Sequence, residues 1–335
     1  MPAPAPIRIG VMGCANIARR SVIPAILAVP DLRLAGVASR TPDKGREFAR
    51  QFGCEHLGNY QNLLDHPHID AIYMPLPPGL HAEWAAKALL AGKHLLIEKS
   101  LATSLPEAER LVALARRARL VMMENYMFQH HAQQAAVKNI LRESLGEIRL
   151  FRATFCFPPL PSGNFRYDKS LDGGALYDAG GYPLKACQLF MGSDLAVLSA
   201  CLNSNAAGVD VWGGAMLSAS VRGACVPLQI AFGFDQYYQC GIEVIGQKGR
   251  LTTSRTFTAS EGFAPSALLE TPNRKQEIQL PADNHFQRIL ELFCQRIRTG
   301  DRSAADAENL CQARLQERVR QIAVHPEESS PCPPN

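Results

Sequence analysis

From Ile7 to Tyr126 the chain alternates short apolar runs with amphipathic ones, and this restricts the fold more than any other feature. The runs IRIGVMG, LRLAGVASR, IDAIYMPLP, HLLIEK and VMMENYM read as strands. Between them lie NIARRSVIPAILAVP, interrupted by Pro24, then TPDKGREFARQFG, HAEWAAKALLAGK and SLPEAERLVALARRARL, which read as helices. Thr41 is an expected N-cap with Pro42 at the first helical position. Ser104 and Glu107 form a capping box. Strands separated by helices of about 10–15 residues specify βαβ units and a parallel sheet. Continuous apolarity fits strands covered on both faces. Residues 1–126 are therefore expected to be a doubly wound domain.

The turn after the first strand is Gly13-Cys14-Ala15-Asn16-Ile17-Ala18. It occupies the G-x-G-x-x-G frame with alanine at the second and third glycines. That frame serves a tight turn, close approach of backbone to a pyrophosphate, and helix packing. Alone it is weak; between a strand and a helix at the start of a βαβ series it has the required context. The alternative is a merely structural turn. The second strand ends Ala38-Ser39-Arg40-Thr41, with no acid before Asp43 to hold ribose hydroxyls. Ser39 and Arg40 suit a 2′-phosphate, so NADP(H) is favoured over NAD. The alternative is that Arg40 is an ordinary surface arginine.

At 335 residues the chain exceeds what one core usually serves. After the helical run AQQAAVKNILRESLG the pattern changes to EIRLFRATFCF, LAVLSACLN, WGGAMLSASV, PLQIAFGF, GIEVIG and RLTTSRTFT, joined by turns. Consecutive strands imply a mainly antiparallel open sheet. One helical segment, GGALYDAGGYPLKACQLFMG, interrupts them, and two helices follow. The expected architecture is α/β: a Rossmann domain, 1–126, then an α+β domain, 127–324. The polar, proline-rich residues 325–335 read as a disordered tail.

Several function classes are disfavoured. A net charge of +4 without a block of like charges is unlike a nucleic-acid binder. No apolar run reaches the roughly 18 residues of a membrane span. The N-terminus has no secretion-signal pattern, so a cytoplasmic protein with reduced thiols is expected; the ten cysteines contain no Cys-x-x-Cys pair. No metal site is expected: His130-His131 and His66-Pro67-His68 are too closely spaced to chelate as a helical pair does.

The segments GVMGCANIA, MPLPPGLHAEWAAKALLAGKHLLIEKS and GGALYDAGGYP resemble the glucose–fructose oxidoreductase / inositol dehydrogenase / MocA family over nearly the whole chain, Ile7 to about Val324. More narrowly, MENYMFQHH, FPPLPSGNFRY and GGALYDAGGYP are similar to its nucleotide-sugar branch, the dTDP-3-keto-deoxysugar 3-ketoreductases. The resemblance implies cofactor contacts from the Gly13–Ile17 turn, Leu76, Pro77, His81, Glu98, Lys99 and Asn125. It also implies a homodimer or homotetramer, since open sheets in this family often pair face to face.

The strand ending in Glu98 and Lys99 delivers two charges to the carboxyl edge of the sheet, where ligands of open α/β folds bind. The resemblance places Glu98 by the nicotinamide ribose and Lys99 at the reacting oxygen. A cation there stabilises a developing alkoxide. A strand-end salt bridge is the alternative, but neighbours on a strand point to opposite faces. Ser100 stands where the family has proline. Asp178 and Tyr182, four apart, share one helix face. The resemblance makes Tyr182 the proton donor, assisted by Lys99, with Asp178 orienting Lys99 or binding a substrate hydroxyl. The alternative for Tyr182 is a packed helix aromatic. Phe157–Ser170 carries Arg166 and Tyr167, suited to a diphosphate and a stacked thymine; Tyr237 and Arg255 are further substrate candidates. The expected reaction is NADPH-dependent reduction at carbon 3 of a dTDP-linked keto-deoxysugar. Rival readings are an NADP-dependent xylose-type or trans-dihydrodiol dehydrogenase, and a non-catalytic NADP sensor.

Overall fold

A computed structural model describes residues 4–325. Of the tail expected to be disordered, all but His325 lies outside the described residues. The chain divides into two compact units. One is the chain through His131 together with Asn284–Ala313; the other is Ala132–Asp283 and the chain from Arg314 on.

The first unit holds six strands: β1 (Ile7–Met12), β2 (Leu32–Ala38), β3 (Glu55–His56), β4 (Ala71–Met74), β5 (His94–Ile97) and β6 (Met122–Glu124). Their order is β3-β2-β1-β4-β5-β6, all parallel. The order reverses between β1 and β4, the switch point at whose carboxyl side such sheets take ligands. Ile9, Val11, Val37, Ile72, Leu95 and Ile97 are fully buried, as strands covered on both faces require. The one charge inside β1, Arg8, sits near the opposite end and grips Asp70 through Nε (2.9 Å) and Nη2 (2.7 Å).

The helices of this unit are α1 (Ile23–Ala28), α2 (Pro42–Phe52), α3 (Tyr60–Asp65), α4 (His81–Leu90) and α5 (Leu105–Ala118). A π turn, Ala18–Val22, precedes α1 and leaves Pro24 in the first turn of α1. A proline ring in a helix interior meets the carbonyl four residues back; helical backbone precedes Pro24 here, and the π turn widens the helix at that carbonyl. Ser104 caps α5 as expected, accepting from Glu107 N and donating to Glu107 Oε2. Thr41 occupies the cap position of α2, but its side chain makes no capping bond.

The second unit contains α6 (Ala132–Ser144), β7 (Ile148–Cys156), α7 (Gly181–Met191), β8 (Leu195–Ser204), β9 (Asp210–Val221), β10 (Ala224–Gly233), β11 (Gln239–Gly246), β12 (Arg250–Thr253), β13 (Ser266–Thr271), β14 (Arg274–Gln279) and β15 (Ala323–Val324). The nine strands run β14-β13-β12-β11-β7-β10-β9-β8-β15. Only β7–β10 and β8–β15 are parallel pairs. Along β10, Val226, Leu228, Ile230 and Phe232 are buried while the residues between them are more exposed. The more exposed face carries an ion-pair ladder, Arg152–Glu243–Arg250–Glu270, and the exposed apolar side chains Leu198, Trp212 and Met216.

Two features lay outside the sequence reading. One is the β13–β14 hairpin, which turns at Pro272-Asn273 between SALLET and RKQEIQ. The other is the return of α8 (His285–Thr299) and the start of α9 (Ser303–Ile322) to the first unit. Asn309 donates to Met122 O (3.0 Å) and accepts from Glu124 N (3.3 Å). Its amide does for edge strand β6 what a further strand would do.

Candidate active site

Gly13 follows β1 with φ +115°, and its N–H donates to Ala38 O at 2.9 Å. A Cβ there would stand 3.0 Å from Leu76 Cδ2, a close contact, and the positive φ is what favours glycine at this turn. Cys14 is buried beneath the turn, and burial pushes its thiol up. Ala15 and Ile17 are half-buried and Asn16 is exposed. Ala18, in the third glycine slot, is fully buried, the packing role that slot serves.

At the end of β2, Ser39 is buried; its N–H donates to Gly58 O (2.9 Å) and its Oγ accepts from Thr41 N (3.2 Å). Arg40 is exposed. The first acid after it, Asp43, pairs with Arg46 in the opening turn of α2. Tyr60 was not foreseen. Its hydroxyl bonds the main chain of Arg40, burial raises its phenol, and its ring meets the Trp84 edge at 5.0 Å.

Glu98 follows β5 and its N–H donates to Met74 O at 3.0 Å. Its Oε1 accepts from Tyr73 Oη (2.7 Å) and Asn125 Nδ2 (2.6 Å). Burial pushes this carboxyl up, opposed by Tyr73, the Lys99 charge and Asn125. Asn125 is fully buried, and its Oδ1 has no hydrogen-bond partner among the described residues. An acceptor left open at the carboxyl edge of a parallel sheet fits a donor such as the carboxamide nitrogen of a nicotinamide. Together with the Gly13 turn and an exposed Arg40, these residues fit a phosphorylated dinucleotide.

Lys99 is half-buried, and the Lys99–Ser100 peptide is cis. Pro77 is half-buried, at the start of the short turn Pro78–Leu80. His81, expected on the nicotinamide side, opens α4. It is fully buried, with Nδ1 2.6 Å from Ser100 O and Nε2 2.9 Å from Leu76 O. Its ring spans two main-chain carbonyls, one of them immediately after Lys99.

In the second unit a π turn, Leu176–Gly180, runs directly into α7. It carries Asp178 ahead of Tyr182, so the simple four-residue spacing of an α-helix does not apply between them. Both are buried. The Tyr182 ring packs on Phe155 (4.9 Å) and Phe257 (5.8 Å). Asp178 Oδ2 accepts from Arg166 Nε at 2.5 Å. Tyr167 Oη accepts from Leu160 N at 3.0 Å, folding the loop onto itself, and its ring meets Phe234 at 5.2 Å. Tyr237 is 86% exposed. Arg255 was expected to meet substrate. Its Nη1 donates to Tyr238 Oη (2.9 Å), and it shares a hollow with Arg152, Glu243 and Arg250 of the exposed ladder.

No helix among the described residues is long and apolar enough to cross a membrane. No group of three or more His, Cys, Asp or Glu side chains among them could hold a metal ion.

Comparison with known proteins bears on the whole chain. Residues 7–126 match the family model described as an oxidoreductase family with an NAD-binding Rossmann fold, and residues 134–252 match the GFO/IDH/MocA C-terminal domain. The dTDP-3,4-didehydro-2,6-dideoxy-alpha-D-glucose 3-reductase of Actinomadura kijaniata is 42% identical over 317 residues, 94% of this chain and 95% of that one. The protein of the same name from Saccharopolyspora spinosa is 41% identical over 297 residues, 88% and 89% of the two chains. Among solved structures, a 3-ketoreductase from Actinomadura kijaniata in complex with NADP and TDP-benzene superposes with a TM-score of 0.92 at 41% identity, covering 96% of this chain and 98% of that one. With both family segments present and such relatives matched nearly end to end, the chain belongs to the glucose–fructose oxidoreductase / inositol dehydrogenase / MocA family of oxidoreductases.

Proposed function

We propose that the protein reduces the keto group at carbon 3 of a dTDP-linked keto-deoxysugar with NADPH. The observation that carries this reading is the length of the likeness: relatives named as such 3-reductases match about nine-tenths or more of the chain at about 40% identity. The residues at the carboxyl edge of the parallel sheet support it. The exposed Arg40 supplies a fixed charge for a 2′-phosphate, with Ser39 beside it. Gly13 to Ile17 cradle the pyrophosphate. Leu76 and Pro77 border it, and Asn125 Oδ1 accepts from the nicotinamide side.

NADPH, when bound, supplies the hydride. Tyr182 donates the proton that completes the new hydroxyl group. Lys99 holds positive charge beside the carbonyl oxygen, which stabilises the alkoxide and eases loss of the phenol proton. Glu98, half-buried and held by Tyr73 and Asn125, balances the ammonium of its neighbour. Asp178 meets a sugar hydroxyl, held in place by Arg166. Tyr167 and Tyr237 border the nucleotide, and Arg166 contributes charge to the diphosphate. The exposed sheet face, with Leu198, Trp212, Met216 and the self-complementary ladder, pairs with a second copy to give a homodimer or homotetramer. The protein is placed in the cytoplasm on this reading.

One observation favours a second reading. Arg166, the loop's candidate for a diphosphate, is engaged by Asp178. A free sugar or diol, oxidised with NADP, would leave that pair intact. The discriminating experiment follows NADPH and NADH oxidation with a dTDP-keto-deoxysugar generated in situ, beside NADP reduction with free xylose and with a trans-dihydrodiol. Turnover confined to the nucleotide sugar is expected. Turnover confined to xylose or the diol moves the protein to the dehydrogenase branch. NADPH binding without any turnover makes it a sensor. Tyr182→Phe is expected to lose most turnover, about a hundredfold or more, while keeping NADPH affinity; unchanged turnover removes Tyr182 from the acid role.

A further inference from the structure

The segment that carries Asp178 and Tyr182 begins Gly173-Gly174-Ala175-Leu176. The first N–H groups of a helical segment have no acceptor within it. Here the acceptor comes from another element. Asp210, the first residue of β9, takes the Leu176 N–H on Oδ2 at 2.6 Å, and the Ala175 N–H is a second donor to the same carboxylate. Burial pushes the Asp210 carboxyl up, and these main-chain donors oppose that shift. The carboxylate is therefore committed to the start of this segment.

The two glycines of the motif acquire a physical reason. Gly174 has φ +144°, and a Cβ on it would stand 2.2 Å from Asp210 Oδ1. A Cβ on Gly173 would stand 2.4 Å from Arg166 O, and its N–H donates to Asp168 O at 3.0 Å. The pair admits the Asp210 carboxylate on one side and the Arg166 loop on the other. Arg166 then reaches Asp178. Each contact bears on where the π turn starts, and the π turn sets where Asp178 and Tyr182 stand.

We infer that Asp210 is a positioning residue for the proton donor, acting through the Ala175 and Leu176 N–H groups and requiring glycine at 174. The inference rests on the reading of Tyr182 as the donor. Its role is to accept hydrogen bonds, so an amide oxygen substitutes in part, and the charge itself is not used in the proton transfer.

The test measures kcat and KM for the in situ dTDP-keto sugar, NADPH affinity by fluorescence titration, and the pH profile of kcat. The variants are Asp210→Ala, Asp210→Asn, Gly174→Ala and the double Asp210→Ala/Gly174→Ala. Asp210→Ala is expected to lower kcat about tenfold to a hundredfold, the cost of a small misplacement of a reacting group, with KM and NADPH affinity within about threefold. Asp210→Asn recovers most of that loss. Gly174→Ala lowers kcat as Asp210→Ala does, and the double variant is no worse than the poorer single one, because both act on one contact. The pH profile falls in height without moving. Should Asp210→Ala not fold, Gly174→Ala and Asp210→Asn still decide the matter. The inference is overturned by kcat within about threefold of wild type in Asp210→Ala or Gly174→Ala. It is also overturned by an Asn variant as poor as Ala, or by a displaced pH profile, since either means the charge acts in the chemistry. Tyr182→Phe run alongside separates the two claims. If it loses turnover while Asp210→Ala does not, this inference alone fails; if it keeps turnover, the donor reading fails.

Discussion

The imidazole of His81 lies 2.6 Å from the carbonyl oxygen of Ser100, so a fully buried ring at the start of α4 holds the residue that follows Lys99. The other ring nitrogen faces Leu76 O at 2.9 Å. A neutral ring has one N–H and donates to one of these carbonyls, and it stands between the exit of β5 and the exit of β4, the two loops on either side of the proposed nicotinamide site.

His81→Leu leaves two buried carbonyls without their ring contacts. We expect it to lower stability by about 1–3 kcal/mol and kcat by about tenfold, with a smaller loss in His81→Asn. Urea unfolding and NADPH oxidation measure the two effects. Weakened NADPH binding with unchanged kcat would instead return His81 to direct cofactor contact.

The pH dependence of stability follows from two buried histidines. Burial lowers His81 to about 4, helped by the nearby Lys99 charge, and lowers His94 to about 4. His94 Nδ1 accepts from Val121 N at 2.9 Å, a bond that protonation of that nitrogen would break. Between roughly pH 6.5 and 4 the unfolded chain binds protons that the folded one does not, so stability falls as pH falls through that window. Each histidine contributes up to about 3 kcal/mol, and His94 less because its ring is partly exposed. Urea midpoints at pH 7.5, 6 and 5 should decline, and His94→Gln should flatten the decline. A flat profile in the parent protein would refute the assignment.

Arg40→Asp places a carboxylate where a 2′-phosphate is proposed to bind. NADPH affinity should fall at least tenfold while NADH affinity changes little or improves. Fluorescence titration with both nucleotides measures this. Equal losses for the two would undo the cofactor preference.

Tyr73→Phe removes one donor, itself fully buried, from the half-buried Glu98 carboxylate. Loss of a hydrogen bond to a charged group should cost about 1–3 kcal/mol in urea unfolding and push the Glu98 carboxyl further up. Wild-type stability in this variant would mean that Asn125 and Lys99 satisfy the group without it.

Much of the site was legible because it depends on local pattern. Gly13, Glu98, Lys99 and Ser104 sit where strand and helix periods change, and period is visible in a single chain. Asn125 came from the family resemblance rather than from spacing. Tyr60, Tyr73, Asp210 and Asn309 were not legible. Tyr73 is one more apolar letter in IDAIYMPLP until its hydroxyl is found on a carboxylate 25 residues away. Asp210 opens an ordinary strand until the fold sets it against Leu176, 34 residues earlier.

The sequence alone determined the parallel sheet and the change to a mainly antiparallel domain, since burial on two faces or one leaves its mark in spacing along the chain; its motifs carried the family resemblance, and the strand order with its switch point came from the fold. Tertiary structure decided what each polar group is used for. It set the His81 ring between two carbonyls, joined Arg166 to Asp178, and grouped Arg255 with the ladder on the exposed sheet face. It also brought Asn309 back to cover a strand edge. The reason is physical. Apolar patterning is set by neighbours within a few residues, whereas a buried donor or acceptor must be satisfied by whatever the fold brings beside it, at any distance in sequence.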